Sequence, residues 1–98
     1  MARRMLLVTY DVAPLKTDIH TKIASTLQNS GNWWHYMTST WLLDTEKTAD
    51  ELGRTLSVFM TPADRLLVIE VTRHHQGWLE QKAWEWINKW WQTYYPQG

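Results

Sequence analysis

Apolar positions follow two rhythms along this chain of 98 residues. In residues 5–12, MLLVTYDV, Leu6, Val8, Tyr10 and Val12 alternate with Met5, Leu7, Thr9 and Asp11. Both sets are largely apolar, which predicts a central strand covered on its two faces. Pro14-Leu15-Lys16 breaks the run. Ile19, Ile23, Ala24 and Leu27 then recur at helical spacing, with Thr17 or Asp18 placed to cap the first turn. Asn29-Ser30-Gly31 closes that helix, Gly31 suiting a left-handed cap. Residues 33–37 and 39–45 are aromatic and β-branched, which favours two strands with a tight bend near Thr38-Ser39; one long bent strand is the alternative. Alternation puts Trp33, His35 and Met37 on one face, Trp34 and Tyr36 on the other. Thr48-Ala-Asp-Glu51 is a capping box opening a helix with Leu52, Leu56 and Phe59 as its buried stripe. Thr61-Pro-Ala-Asp64 is a loop. Residues 66–72 form the last strand, Leu67, Ile69 and Val71 facing away from Leu66, Val68 and Glu70. Residues 73–77 are polar and turn-like. Residues 78–95 form a third helix through Leu79, Ala83, Trp86, Ile87, Trp90 and Tyr94, its stripe widened by Trp84 and Trp91.

The order β-α-β-β-α-β-α predicts an α+β, ferredoxin-like fold with an added C-terminal helix. It is read as one domain, 1–98, with a core over about 5–75 and a Trp-rich helix over about 78–95. In this topology Asp11, the Thr38-Ser39 bend and Asp64-Arg65 meet at one end of the sheet. His74, His75 and the amino-terminal arginines fall at the other. The face left by the first two helices is expected to carry Met5, Leu7, Leu66 and Val68. Such a patch is larger than monomers usually leave bare, so the third helix or a second subunit should cover it.

Composition sharpens this picture in three ways. Lys+Arg and Asp+Glu balance at 10 each, so no overall basic excess points to nucleic acid. Cysteine is absent, which excludes disulfides and thiolate metal sites. Eight tryptophans are many for so short a chain, and favour core or interface packing and self-association. No apolar run approaches the ~18 residues of a membrane span. The first apolar run continues into a strand and is not a signal peptide, so a cytoplasmic protein is expected.

Leu6-Leu-Val-Thr-Tyr-Asp-Val12, a following helix, a glycine and Ser39-Thr40-Trp41 are similar to motifs of the small CRISPR-associated adaptation subunit and the virulence-associated protein D ribonucleases. More closely, Trp33-Trp34-His35, Ser39-Thr40-Trp41-Leu42 and Asp64-Arg-Leu-Leu-Val68 resemble a group of small proteins labelled SinR-like. The resemblance covers roughly residues 5–75. It implies a ferredoxin-like homodimer. It also implies that Asp11 takes the place of a strand-ending aspartate in metal-dependent nuclease chemistry, with Ser39 and Trp41 matching the second motif. The chain departs from those relatives in its nearly neutral helix, Thr17-Asp-Ile-His-Thr-Lys22, and in ending on a helix rather than a strand.

Asp11 is therefore the first candidate. A two-fold axis near it would pair two carboxylates, hard oxygen ligands suited to Mg²⁺, which would orient a phosphodiester and activate water. The competing reading has Asp11 capping the following turn. Asp64 is a weak second ligand or a turn cap, and Arg65 a binding residue beside it. His35 reads as a packing histidine before a general base. His74 and His75, as neighbours, point apart in extended chain and read as a solvated loop, with Zn²⁺ the minor alternative. The Trp33–Trp41 cluster contains no Lys or Arg, so core packing is favoured over base stacking. Phosphate-loop, nucleophile-elbow and His-Glu-x-x-His motifs are absent. Two functions stay open: a homodimer that engages RNA or DNA with Mg²⁺-dependent cleavage at Asp11, or a non-enzymatic module that binds a protein partner through its dimer or a surface including Trp84 and Trp91.

Overall fold

The computed structural model describes residues 3–95; the side chain of Tyr36 lies outside the described residues. Seven elements occur in the expected order: β1 (Arg4–Asp11), α1 (Thr17–Gln28), β2 (Asn32–Met37), β3 (Thr40–Thr45), α2 (Ala49–Ser57), β4 (Arg65–Glu70) and α3 (Gln81–Tyr94). The class is α+β. The four strands form one antiparallel sheet in the order β2-β3-β1-β4, so β1 is central and β2 and β4 are the edges.

The near-continuous apolar character of β1 has the cause the pattern suggested, because helices lie on both its faces. Leu6, Val8, Tyr10 and Val12 enter a core with Ile23 and Leu27 of α1, Trp41 and Leu43 of β3, and Leu52 and Leu56 of α2. The Trp41 indole Nε1–H donates to the Tyr10 hydroxyl at 3.2 Å, satisfying the polar atom of this otherwise apolar layer. Met5, Trp34 and Leu42 face the other way and pack against Ala83, Ile87 and Trp90 of α3. The third helix thus covers part of the face left over by α1 and α2.

Strand register corrects two face assignments. Side chains directly opposed across an antiparallel pair share a face. Leu66 and Val68 oppose Tyr10 and Val8, so they belong to the α1/α2 core and not to the opposite face where alternation alone put them. Leu67 and Ile69 oppose Thr9 and Leu7, on the side of α3. In the β2–β3 hairpin the register slips by one residue between Trp34 and Met37. This irregularity sets Met37 opposite Thr40, on the face of Trp34, and not with Trp33 and His35.

Helix ends divide similarly. The capping box of α2 is present: Thr48 Oγ1 accepts from Glu51 N and Glu51 Oε1 accepts from Thr48 N, both at 3.1 Å. Neither Thr17 nor Asp18 caps α1; its N-cap is Lys16, without a side-chain bond. Gly31 is not a helix cap either. Asn29 ends α1 in right-handed conformation, whereas Gly31 has φ 158°, and a Cβ there would collide with the backbone carbonyl of Asp44. Helix α3 begins at Gln81, not 78, and leaves Trp78 99% exposed. No helix among the described residues is long and apolar enough to cross a membrane.

Candidate functional site

The chain order does bring the expected residues to one end of the sheet. Asp11 closes β1 directly opposite Arg65 of β4. The backbone N–H of Tyr10 donates to the carbonyl of Ser39 at 3.2 Å, which fixes the hairpin turn beside it. Asp11 is exposed, and its carboxylate makes no hydrogen bond or ion pair among the described residues. The turn-capping role proposed for it is therefore not observed.

Asp64 is differently committed. Its Oδ2 accepts from Thr61 N at 2.9 Å and from Thr61 Oγ1 at 3.2 Å, while Oδ1 pairs with Lys16 Nζ at 3.2 Å. The Thr61 backbone bond, aided by Lys16, holds this carboxyl below the usual aspartate range. Asp64 is thus the cap of its loop, with both oxygens engaged. Arg65 donates to the carbonyls of Pro62 and Asp64 at 3.0 Å. Among the described residues no group of three or more His, Asp and Glu is arranged to hold a metal ion.

His35 and His75 take packing roles. His35 stacks on Trp41 at 3.9 Å and 8°, with Nε2 3.1 Å from the Thr38 carbonyl. His74 and His75 are exposed, and His75 lies nearly parallel to the rings of Trp84 and Trp91 at 6.0 and 6.3 Å. Trp84 and Trp91 are half-buried against the α3 core, and the Arg73 guanidinium lies 5.0 Å from the Trp91 ring centre. They are neither free platforms nor fully buried.

The pattern reading missed a second place, at the opposite end of the sheet. Asp44 of β3 is 3% exposed. Arg3 Nε donates to its Oδ1 at 2.9 Å, and Asn32 Nδ2 to its Oδ2 at 3.0 Å. Arg3 also reaches the Asp44 carbonyl at 2.9 Å. Burial pushes the Asp44 carboxyl up, but bonding by Arg3, Asn32 and the nearby Trp90 indole, with the charge of Arg3, outweighs it and holds the carboxyl below its usual range. The Trp90 indole influences the carboxylate without reaching regular hydrogen-bond geometry. One signal was available: a charged residue inside Trp41-Leu-Leu-Asp-Thr45 needs a partner if that strand is buried.

A third feature is the bare part of the α3 side of the sheet. Helix α3 packs over residues from β1, β2 and β3. Beyond it, Leu67 and Ile69 of the edge strand β4 remain 55% and 50% exposed. Compared with known proteins, the chain matches no family model and no curated protein.

Proposed function

We propose that the protein is a ferredoxin-like interaction module, non-enzymatic, that works as a homodimer joined through the β4 edges. The strand order β2-β3-β1-β4, with α1 and α2 together on one face, supports the ferredoxin-like reading. The observation that carries the dimer is the pairing of two liabilities in one strand: among the described residues β4 has no strand on its outer side, and it exposes Leu67 and Ile69. Edge strands are normally blunted by Pro, Lys or a bulge, and Arg65-Leu-Leu-Val-Ile-Glu70 contains none between its terminal charges.

Register selects how two copies meet. A two-fold axis normal to the sheet at Leu67 would set Asp64 against Glu70 of the other copy, two like charges. An axis at Val68 sets Leu67 against Ile69 twice over and extends the apolar strip across the axis. This dimer is incompatible with a shared Asp11 site. Asp11 lies opposite Arg65, three residues from Val68 and one strand further in, so the two carboxylates would be about 25 Å apart at ordinary strand spacings. Ligands to one ion stand within about 2.6 Å of it.

The Mg²⁺-dependent nuclease remains the competing proposal, favoured by the exposed, unpaired Asp11 beside Arg65. It requires a different two-fold axis. Light scattering of a β4-edge variant separates the two axes. The native chain is expected to run at twice its monomer mass, and Leu67→Lys with Ile69→Lys, which would set like charges against each other across the axis, at monomer mass with unchanged far-ultraviolet circular dichroism. A native monomer at about 100 μM would sink the β4 dimer, since a functional homodimer needs a Kd well below that. Cleavage of labelled RNA or DNA that requires Mg²⁺ and disappears in Asp11→Ala would replace the module with the nuclease.

A further inference from the structure

At the edge of the sheet away from β4, a groove of about 630 Å³ opens between the start of β2, the end of β3 and the outer side of α3. That volume suits one small organic ligand. Trp33 lines it from the α1/α2 face of the β2 edge, and Trp86, Lys89 and Tyr94 line it from α3 on the other face. Trp33 is 43% and Tyr94 41% exposed. Trp33 leans on Trp41 at 5.4 Å and Tyr94 on Trp90 at 5.4 Å, so each ring is braced from behind by a buried indole.

The electrostatics define the ligand further. Asp44 lies in the groove floor, but Arg3 and Asn32 occupy its two oxygens. Buried to 3% exposure, it presents almost no accepting surface to a sugar hydroxyl, and Arg3 cancels its charge. Lys89 is exposed and has no ion-pair partner among the described residues, which leaves the lining with one uncompensated positive charge. The local sequence argued against stacking because no base lies within Trp33–Trp41. The fold supplies the cation from α3 instead. Braced aromatic rings beside a free ammonium match a flat ring carrying a neighbouring anion.

We propose that this groove binds a nucleotide, its base against the aromatic rings that line it and its phosphate on Lys89. The same chemistry is offered by a free mononucleotide and by one unit of single-stranded nucleic acid. The site is independent of the β4 edge and of Asp11.

The test is titration calorimetry of the full chain with uridine, uridine monophosphate and an eight-nucleotide oligouridylate. The monophosphate or the oligonucleotide is expected to bind and the uncharged nucleoside to bind more weakly. Saturation by the monophosphate identifies a free-nucleotide site; binding of the oligonucleotide alone identifies a nucleic-acid site. Trp33→Ala should weaken binding about 10-fold or more, the scale of one lost base stack. Lys89→Gln, at an exposed position, should reduce the salt slope for the oligonucleotide by about 0.7, one phosphate contact. Trp78→Ala, remote from this lining and almost wholly exposed, should change nothing. Thermal unfolding confirms that Trp33→Ala is folded; if it is not, the Lys89→Gln slope decides alone. No binding by either phosphate-bearing probe at about 1 mM, where only some 4 kcal/mol would be needed, overturns the site. So do a nucleoside bound as tightly as its monophosphate, an unchanged salt slope in Lys89→Gln, and equal weakening by Trp78→Ala.

Discussion

The two faces of this sheet are built from similar apolar strands and end in different states. On one, α1 and α2 enclose Leu6, Val8, Leu43, Leu52 and Leu56 to zero exposure. On the other, a single helix buries Met5, Leu42 and Ile87 and stops short of β4, where Leu67 and Ile69 stay half-exposed. Two helices span four strands and one does not. The closed face is a core in the ordinary sense. The open face is a core completed only over β2, β3 and β1, and its unfinished margin coincides with an unpaired strand edge. Stability should therefore be concentrated on the first face and available for association on the second.

The largest test of that contrast is truncation on each face. Leu43→Ala should cost about 3–5 kcal/mol by urea denaturation, because its neighbours enclose it completely and cannot collapse into the space. Leu67→Ala should cost less than about 1 kcal/mol in a monomeric sample, since water already reaches half of that side chain. A Leu67 effect that is large at high protein concentration and vanishes on dilution would show the open margin buried between copies. Equal, concentration-independent losses at both positions would break the contrast itself.

The next largest effect lies where the open-face helix meets the buried charge. Asp44 has its carboxyl held below the ordinary aspartate value near about 3.9. A carboxylate with a depressed folded-state pKa adds stability above its unfolded pKa and loses it as pH falls through the folded value. The wild type should therefore lose stability on acidification below about pH 4. Asp44→Asn should be less stable by about 2 kcal/mol at pH 7, the worth of hydrogen bonds to a charged group, and should show a shallower acid limb. The carboxyl of Asp64 is lowered too, by the Thr61 backbone bond first, so the limb should flatten and not disappear. An unchanged pH profile in Asp44→Asn would detach the Arg3–Asp44 pair from folding.

Much of this architecture was legible as pattern. Alternation found β1, helical spacing found α1, and Thr48–Glu51 found α2 to its first residue, because each of these signals is local. What the pattern could not carry was register. In Arg65-Leu-Leu-Val-Ile-Glu70 every interior residue is apolar, so alternation separates two sets without saying which one faces the helices. Only pairing with β1 decides, and it reverses the assignment. The slip between Trp34 and Met37 leaves no glycine or proline as a marker, and it moves Met37 across the sheet. Asp44 stayed unseen for a related reason: its partners Arg3 and Asn32 come from other parts of the chain. The same long-range assembly brings Lys89 to the groove that Trp33 lines. Asp11, Ser39 and Arg65 were correctly placed together, since they depend on strand order alone, but their proximity does not supply the second carboxylate that a metal site wants.

The smallest expected effect concerns how each face holds its helices. Helix α2, on the closed face, starts with a complete capping box, whereas α3 starts at Glu80 with no side-chain cap. The N–H groups of Thr48 and Glu51 are thus met by side chains at the start of α2, whereas at α3 the Ala83 N–H is met by the Glu80 backbone carbonyl and no side chain contributes. Thr48→Ala should cost about 1 kcal/mol, the usual worth of an N-cap hydroxyl. Glu80→Ser should instead gain up to about 1 kcal/mol, because Glu80 is exposed with the extended backbone a cap requires and serine's short side chain can turn back to the first-turn N–H groups. Both are measured by denaturant midpoint at constant m-value, with amide exchange in α3 slowed in Glu80→Ser. A gain at Glu80 would identify α3 as the helix held by its tryptophans and not by its own ends. A loss there would mean that Glu80 contributes something its backbone position does not reveal, and that the open face is more finished than its bare margin implies.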